Sequence, residues 1–456
     1  MNPVSFSQSS EPAPLRLAAK LGLFSTTMIV MGGIIGAGIF INPYVVAQNV
    51  HSQRLILLAW AAGGVIALAG AFIYAELAAR LPAVGGQYAY LREAGYPALA
   101  FLYGWVLLFV IQTGGMAAVA IIFAHYLREL CHLQFSDALV ASLALGLFTI
   151  VNCLGIRPGG AVQSALMSLN IAALTAFIAG GAWFAFHGGQ PAIAPVMHPK
   201  DSVFSFGAAM VPVLFAFAGW QTTNFIAEEV RDSKRNLPRS LVLGVCGVVV
   251  LYLCVNWVCV RALGPAGLAS TTTPASTIMH LAFGHTGEAL MAAAIVVSAL
   301  GFLSQSILTA PRVYFAMAED GLFFRSMAWV HPRTRVPVVA IALQGVWTIV
   351  ITFSGRYDQI LSYVVSMDFL FFGLTAACIF VFRRRAFRLA RSAESGWRVP
   401  GHPVTTIAFI AVSGLVVLNT AYKFPLNTAI GFGILTAGIP AYFLWRKFNR
   451  TAERVS

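Results

Sequence analysis

The chain has 456 residues, 59% of them hydrophobic and only 10% charged, with 29 Lys and Arg against 16 Asp and Glu for a net charge of +13. A soluble domain carries about 25% charged residues, so this chain has too little polar surface to coat a water-facing globule and belongs in lipid. The positive balance is not a nucleic-acid footprint, because neither an aromatic-interleaved basic face nor a zinc spacing accompanies it.

The first segment, Met1 to Leu15, is polar and contains Pro and Ser, without the basic start and apolar core of a cleaved signal peptide. Beyond it, about 20 apolar residues are needed per membrane-crossing helix. Twelve stretches meet that need, at 24–49, 55–79, 97–127, 136–156, 161–187, 206–229, 239–262, 286–318, 337–354, 359–382, 404–422 and 427–446. An even number puts both chain ends on one side. Placing the N-terminus in the cytoplasm assigns 23 of the 29 cations to inner segments, among them Arg80, Arg92, Arg312 and the run Arg383-Arg384-Arg385. Only Arg54, Arg128, Lys200, Arg261, Arg356 and Lys423 fall outside. That asymmetry is the positive-inside signal, so a multi-pass protein of the plasma (inner) membrane with cytoplasmic N- and C-termini is expected. The six cysteines include no CxxC pair and read mostly as small buried hydrophobes.

The first and sixth stretches differ from the rest. The first holds Gly32-Gly33-Ile34-Ile35-Gly36-Ala37-Gly38-Ile39-Phe40, with Pro43 a turn later. The sixth reads Phe215-Ala216-Phe217-Ala218-Gly219-Trp220-Gln221, with Pro212 before it. Glycine inside a helix costs about 1 kcal/mol against alanine, so such clusters mark either close helix packing or a break. A phosphate-binding loop does not fit, because no Lys-Ser/Thr follows the glycines. Interrupted spans at matching places in two five-helix halves are the pointer to an inverted-repeat transporter with a midplane site. A broken helix presents N–H donors at one cut end and carbonyls at the other. Together they suit a molecule carrying both charges a few ångströms apart, such as an α-amino acid zwitterion.

Those residues also carry a resemblance. Gly33 to Phe40 is similar to the first-helix signature G-x-I-I-G-[SA]-G-I-F of the amino acid–polyamine–organocation (APC) superfamily. The block from Phe215 through Asn224 and Glu228-Glu229 to Lys234-Arg235-Asn236-Leu237-Pro238-Arg239 resembles its sixth helix and following loop, closest to the L-type amino acid transporter (LAT)-like branch. Tyr103-Gly104-Trp105 and the R-x-x-x-x-M-A-x-D-G pattern from Arg312 to Gly321 also match. The resemblance implies an all-α integral membrane fold of 12 transmembrane helices, a LeuT-type 5+5 inverted repeat with discontinuous helices 1 and 6. The segments would be a tail (1–20), two five-helix repeats (21–187 and 206–385), peripheral helices 11 and 12 (402–447) and a C-terminal tail (448–456).

By the same resemblance, a substrate carboxylate would meet backbone N–H groups around Gly36, Ala37 and Gly38, and an ammonium the carbonyls of Ile34, Phe215 and Ala218. Phe215 would be the outer lid, and Gly114, Gly115, Phe217 and Trp220 would shape the side-chain pocket, although packing or lipid contact is an equal role for the last two. Three positions depart from the family pattern. Ala37 stands where many members have Ser; Asn170 stands where many carry a Lys in place of sodium; Pro311 interrupts the end of the eighth helix. An uncharged amide does not replace a cation, so the coupling rule of Lys-bearing members does not carry over.

Asp368 lies mid-span, where acids are expensive and functional by default; proton coupling and a helix-holding hydrogen bond are both open to it. Glu228 and Glu229, near Lys234 and Arg235, suggest a cytoplasmic gate network or a solvated cluster. Ser298 could be a remnant sodium ligand, but no second hydroxyl sits beside it. His125 reads as interfacial, and Cys131, near the heavy-chain cysteine of animal relatives, as an unpaired thiol, so no heavy-chain partner is expected. No HExxH, GxSxG or P-loop is present. The expectation is a transporter of neutral L-α-amino acids rather than an enzyme, without cofactor, metal or nucleic-acid partner. A cationic amino acid or polyamine antiporter is the alternative, and a sensor or channel on the same scaffold the alternative from another class.

Overall fold

A computed structural model describes residues 17, 19–187, 201–354, 357–388 and 396–455. Most of the expected N-terminal tail, and the cations Arg16, Lys200, Arg356 and Arg391, lie outside the described residues. In chain order the helices are α1 (Leu23–Ile34), α2 (Gly38–Asn49), α3 (Gln53–Arg80), α4 (Gln87–Glu93), α5 (Pro97–Val106), α6 (Gln112–Cys131), α7 (Asp137–Cys153) and α8 (Ile156–His187). Then follow α9 (Val203–Phe217), a 3-10 segment (Trp220–Glu229), α10 (Ser233–Ser270), α11 (Pro274–Thr309), α12 (Pro311–Glu319), α13 (Val338–Ser354), α14 (Tyr357–Arg388), α15 (Val404–Lys423) and α16 (Pro425–Val455).

Helices dominate because lipid leaves backbone groups no water partner, so each span must close its own hydrogen bonds. Their starts follow local chemistry. Ser136 and Ser202 accept the Leu139 and Ser205 N–H groups at the heads of α7 and α9, while Pro97, Pro274 and Pro311 open α5, α11 and α12, where a missing N–H costs nothing. Among the described residues, ten helices are long and apolar enough to cross a membrane, and α7 and α13 are shorter apolar helices. Their outward faces are greasy: Leu143, Leu147, Ile150, Leu415 and Leu418 are all exposed. The protein is therefore an all-helical, multi-pass membrane protein.

The eighth apolar stretch departs from its expected bounds. Helix begins at Pro274 rather than near residue 286, and the non-helical Gly284 (φ 63°, ψ −153°) divides α11 into a short arm before it and a long arm after it. Pro311 does not break the chain either. Ala310 keeps helical torsions (φ −65°, ψ −31°), and the proline opens α12.

The arrangement that positions the site is a crossing of two interrupted helices. The half-helix α2 packs against α9, and α1 packs against the 3-10 segment. Hydrogen bonds mark each pairing: Asn42 Nδ2 donates to the Pro212 carbonyl (2.9 Å), and just before α1 the Lys20 and Leu21 N–H groups both donate to the Glu229 carbonyl (2.9 and 3.0 Å). Helices α8, α10 and α11 enclose α1.

Candidate functional site

Both interruptions are real breaks. Ile35 leaves helical space (φ −79°, ψ 99°) and α2 resumes at Gly38, whose first turn has no side-chain cap. In the second, Ala218 is extended (φ −70°, ψ 163°) and Gly219 is left-handed (φ 106°, ψ −16°). The two touch. A Cβ on Gly33 would overlap the Gly219 carbonyl, and one on Gly219 would overlap the Gly33 carbonyl. Only glycine at both positions allows two backbones to meet here.

A cavity of about 80 Å³ lies between the breaks, room for several water-sized groups. Ile34, Gly36, Ala37 and Gly38 line it from the first break, Phe215 and Ala218 from the second, Gly115 from α6 and Asp368 from α14. Three other candidates stand off it. Gly114 is buried within α6 without lining the cavity. Phe217 packs edge-on to Trp60 (centroids 5.9 Å) and against Tyr252 (5.0 Å), and Trp220 packs edge-on to Tyr74 (4.8 Å) and stacks on Phe372 (5.6 Å). The packing role is the one these two aromatics fill.

Polar groups that motif matching missed complete the wall. Gln221 Oε1 accepts the Gly219 N–H (3.0 Å). Thr222 Oγ1 donates to the Gly219 carbonyl (2.7 Å) and accepts from Gln305 Nε2 (2.5 Å). The second break is thus held by side chains from α11 and from its own next turn. Nearby, the buried Gln163 amide lies against Gly32, with neither polar atom partnered among the described residues. The first break is supported differently: the Tyr252 hydroxyl donates to the Ile34 carbonyl (3.1 Å), leaving that oxygen one lone pair for a ligand. The Phe215 carbonyl likewise already accepts the Ala218 N–H (3.1 Å). Glutamine and threonine are common in any helix, and only their convergence on Gly219 sets these apart.

Of the coupling and gating candidates, Asn170 and Ser298 meet, with Asn170 Nδ2 donating to Ser298 Oγ (3.0 Å) and both residues fully buried. Glu228 does not join a network: it is exposed, and its carboxylate accepts only a long bond from the Val84 N–H (3.4 Å) among those resolved. Its neighbour Glu229 does the work instead, paired with Arg312 (Nε–Oε1 2.7 Å, Nη2–Oε2 3.2 Å), both side chains fully buried. The partner is Arg312, from 83 residues away, rather than Lys234 or Arg235.

Two further pairs close the same end. Glu76 accepts from Arg383 (2.9 and 2.6 Å), from Arg80 (2.9 Å) and from the Val399 N–H (2.8 Å). Asp320 takes Arg92 and the Tyr88 hydroxyl (2.6 Å). Burial, then the Asp320 charge, pushes the Tyr88 phenol well above its ordinary range, so it stays a donor. The opposite end holds a vestibule of about 740 Å³, reaching from Tyr44, His125, Thr272 and Lys423 down to Ile122 and Phe215. Those last two residues also line the central cavity. The Phe215 ring is therefore a wall shared by vestibule and cavity. His125 reaches the vestibule beside Glu129 (3.3 Å), and Cys131 is exposed with a free thiol.

A multi-pass helical bundle with a small cavity where two broken helices meet is the architecture of a membrane permease. The chain belongs to the amino acid permease family, whose sequence profile matches residues 21–443. It is 28% identical to the "Serine/threonine exchanger SteT" of Bacillus subtilis (strain 168) over 94% of this chain and 98% of that protein. The human "Large neutral amino acids transporter small subunit 2" is 28% identical over 94% of this chain and 80% of its own length. The human "Asc-type amino acid transporter 1" is 27% identical, covering 96% and 85%.

Proposed function

We propose that this protein is an alternating-access secondary transporter of neutral L-α-amino acids, working by exchange or proton-linked uptake, and not an enzyme. The observation that carries the reading is the cavity lined by both helix breaks. The uncapped first turn of α2 offers N–H groups at Ala37 and Gly38 to a carboxylate, and the carbonyls of Ile34, Phe215 and Ala218 serve the ammonium. Backbone dipoles then bind both charges without burying an unpaired ion. The cavity's size and its Gly, Ala, Ile and Val walls favour the smaller neutral side chains. The names of the relatives, an exchanger of serine and threonine among them, point the same way.

In this reading the chain has twelve spans, with 21–187 and 206–385 as inverted five-helix repeats, 402–447 as peripheral helices, and both ends in the cytoplasm. The end carrying Arg80, Arg92, Arg312 and Arg383 faces inward and is shut, and the vestibule opens outward with Phe215 as lid. Where Lys-bearing members carry a cation, this chain has the uncharged Asn170–Ser298 contact, so their coupling rule is not carried over. No heavy-chain partner is required. The second reading, a cationic amino acid or polyamine antiporter, rests on Asp368 in the cavity wall.

Uptake of radiolabelled alanine into proteoliposomes, competed with serine, leucine, arginine and putrescine, separates these. Saturable uptake, inhibition by serine and trans-stimulation by internal amino acid are expected. Dominant inhibition by arginine or putrescine selects the second reading, and non-saturable flux without trans-stimulation selects a channel. A Cβ on Gly38 would fit in ordinary contact with Asn42 Nδ2 (3.4 Å) and the Phe215 ring (3.8 Å), but the two methyls of valine beyond it would enter the carboxylate site, so Gly38→Val is expected to weaken alanine binding at least tenfold while the protein still inserts. Unchanged affinity would remove the proposed carboxylate contact.

A further inference from the structure

The α10–α11 connection gathers three metal-ligating side chains far from the cavity. His280 Nδ1 lies 2.9 Å, and His285 Nδ1 3.6 Å, from the same oxygen, Glu288 Oε2. One ligand atom from each of the three falls within 4.8 Å of the others, and the imidazole rings stand edge to face at 4.9 Å. Nothing in the linear spacing announces this, because two histidines five residues apart lie on different faces of a continuous helix. The reversal at Gly284 makes it. Its torsions (φ 63°, ψ −153°) suit glycine, and the chain doubles back so closely that a Cβ on Gly287 would overlap the Met279 carbonyl. The reversal is itself anchored: Phe283 stacks on Trp183 of α8 (5.9 Å, 15°), and a Cβ on Gly180 would lie 2.9 Å from the Phe283 ring.

We propose that His280, His285 and Glu288 form a binding site for a divalent transition-metal ion, zinc by preference. Four-coordinate zinc takes imidazole nitrogen and carboxylate oxygen at about 2.0–2.2 Å, which sets neighbouring ligand atoms about 3.4 Å apart. The separations of the two imidazole nitrogens from Glu288 Oε2, 2.9 and 3.6 Å, bracket that edge, and the three ligand atoms all lie within 4.8 Å of one another. Two imidazoles with one carboxylate suit zinc better than the hard cations magnesium or calcium, which take oxygen ligands. All three side chains are substantially exposed, at 44%, 94% and 51%, so an ion enters from water and keeps a water in its fourth position. Glu288 then trades its imidazole contacts for the ion, and the site needs no large rearrangement.

The position gives the ion something to hold. Residues 274–283 form the short arm of α11, and Thr272 and Thr273, immediately before it, line the vestibule. A metal spanning residues 280, 285 and 288 clamps that arm against the long arm, and so stiffens the vestibule rim.

The test uses the full, untagged chain in detergent, titrated with zinc chloride against a chelating indicator dye. One tight zinc per chain is expected, weakened at least tenfold in His285→Ala and in Glu288→Gln and at least a hundredfold in His280→Ala/His285→Ala. Hydrogen exchange across residues 274–288 should slow with zinc in the natural chain and not in the double variant, a readout independent of transport. Retained alanine binding by the variants verifies their fold. Equal zinc affinity in the natural chain and the double variant would leave the three residues a histidine–glutamate ion pair and overturn the proposal.

Discussion

The two ends of the bundle are built on different physics. At one end, carboxylates from α3, from the 3-10 segment and from the turn after α12 take guanidinium groups brought from far along the chain, Glu76 adding its neighbour Arg80, with Glu229 and Arg312 losing all contact with water. At the other, a wide vestibule descends to the Phe215 ring, and the Arg128–Asp137 pair keeps about a third of its side-chain surface in solvent. Apolar packing would close an end firmly. A buried ion pair closes it with little net stabilisation, because desolvation offsets most of the Coulomb gain, yet removing one partner is costly. Such a closure has fixed geometry and can be undone once water reaches both partners.

The largest expected effect comes from breaking the closed end at its driest point. Arg312→Met leaves Glu229 charged and buried, which costs about 3–5 kcal/mol. Uptake should fall at least a hundredfold, and Glu229→Gln added to it should restore part of the loss; full activity in the single variant would mean the pair is not part of the closure. Asp320→Asn acts at a pair as exposed as Arg128–Asp137 but one whose carboxylate also takes the Tyr88 hydroxyl, and should cost about 1 kcal/mol, read as a few degrees in melting temperature. Because Tyr88 is raised above its usual range, the phenol absorbance of that residue should show no ionisation below strongly alkaline pH. Arg128→Ala, in the open end, should change melting temperature by less than the measurement resolves, since exposed pairs contribute about 0–1 kcal/mol; a drop as large as that of Asp320→Asn would erase the contrast between the ends.

The smallest effect concerns pH at the closed end. Partial burial, then the Arg383 charge, holds the His402 imidazole below its usual value, against the weaker opposite pull of Glu76. The unfolded chain therefore binds this proton more readily than the folded one, and stability falls as pH drops through the ordinary histidine range. His402→Gln should flatten that acid-side slope slightly in thermal melts run between pH 7 and 5, and an unchanged slope would show that His402 does not contribute to it.

Much of the architecture could be read from residues alone, because lipid imposes constraints that are local in sequence. Apolar runs, the glycines from Gly32 to Gly38 and around Gly219, and the clustering of arginines each announce themselves within one stretch. Within residues 32–40 and 215–221, where the residues alone allow packing or a break, the backbone leaves helical torsions at Ile35 and at Ala218–Gly219. Phe217 and Trp220, by contrast, share one stretch with Phe215 but turn to Trp60 and Tyr74, and nothing in composition tells an aromatic facing a cavity from one facing a neighbouring helix. Glu228 and Glu229 are adjacent and chemically alike, and helix rotation alone sends one to solvent and the other to Arg312.

What the chain's residues determined by themselves is where it must lie in lipid and where its helices give way, since hydropathy and glycine's backbone freedom act over a few consecutive positions. Which groups meet was decided only in three dimensions: Gly33 against Gly219, Gln305 on Thr222, Arg312 on Glu229, and His280 with His285 and Glu288 around a reversed turn. Hydrogen bonds and ion pairs depend on ångström distances between side chains that are mostly dozens of residues apart. Packing angles and single backbone torsions set those distances.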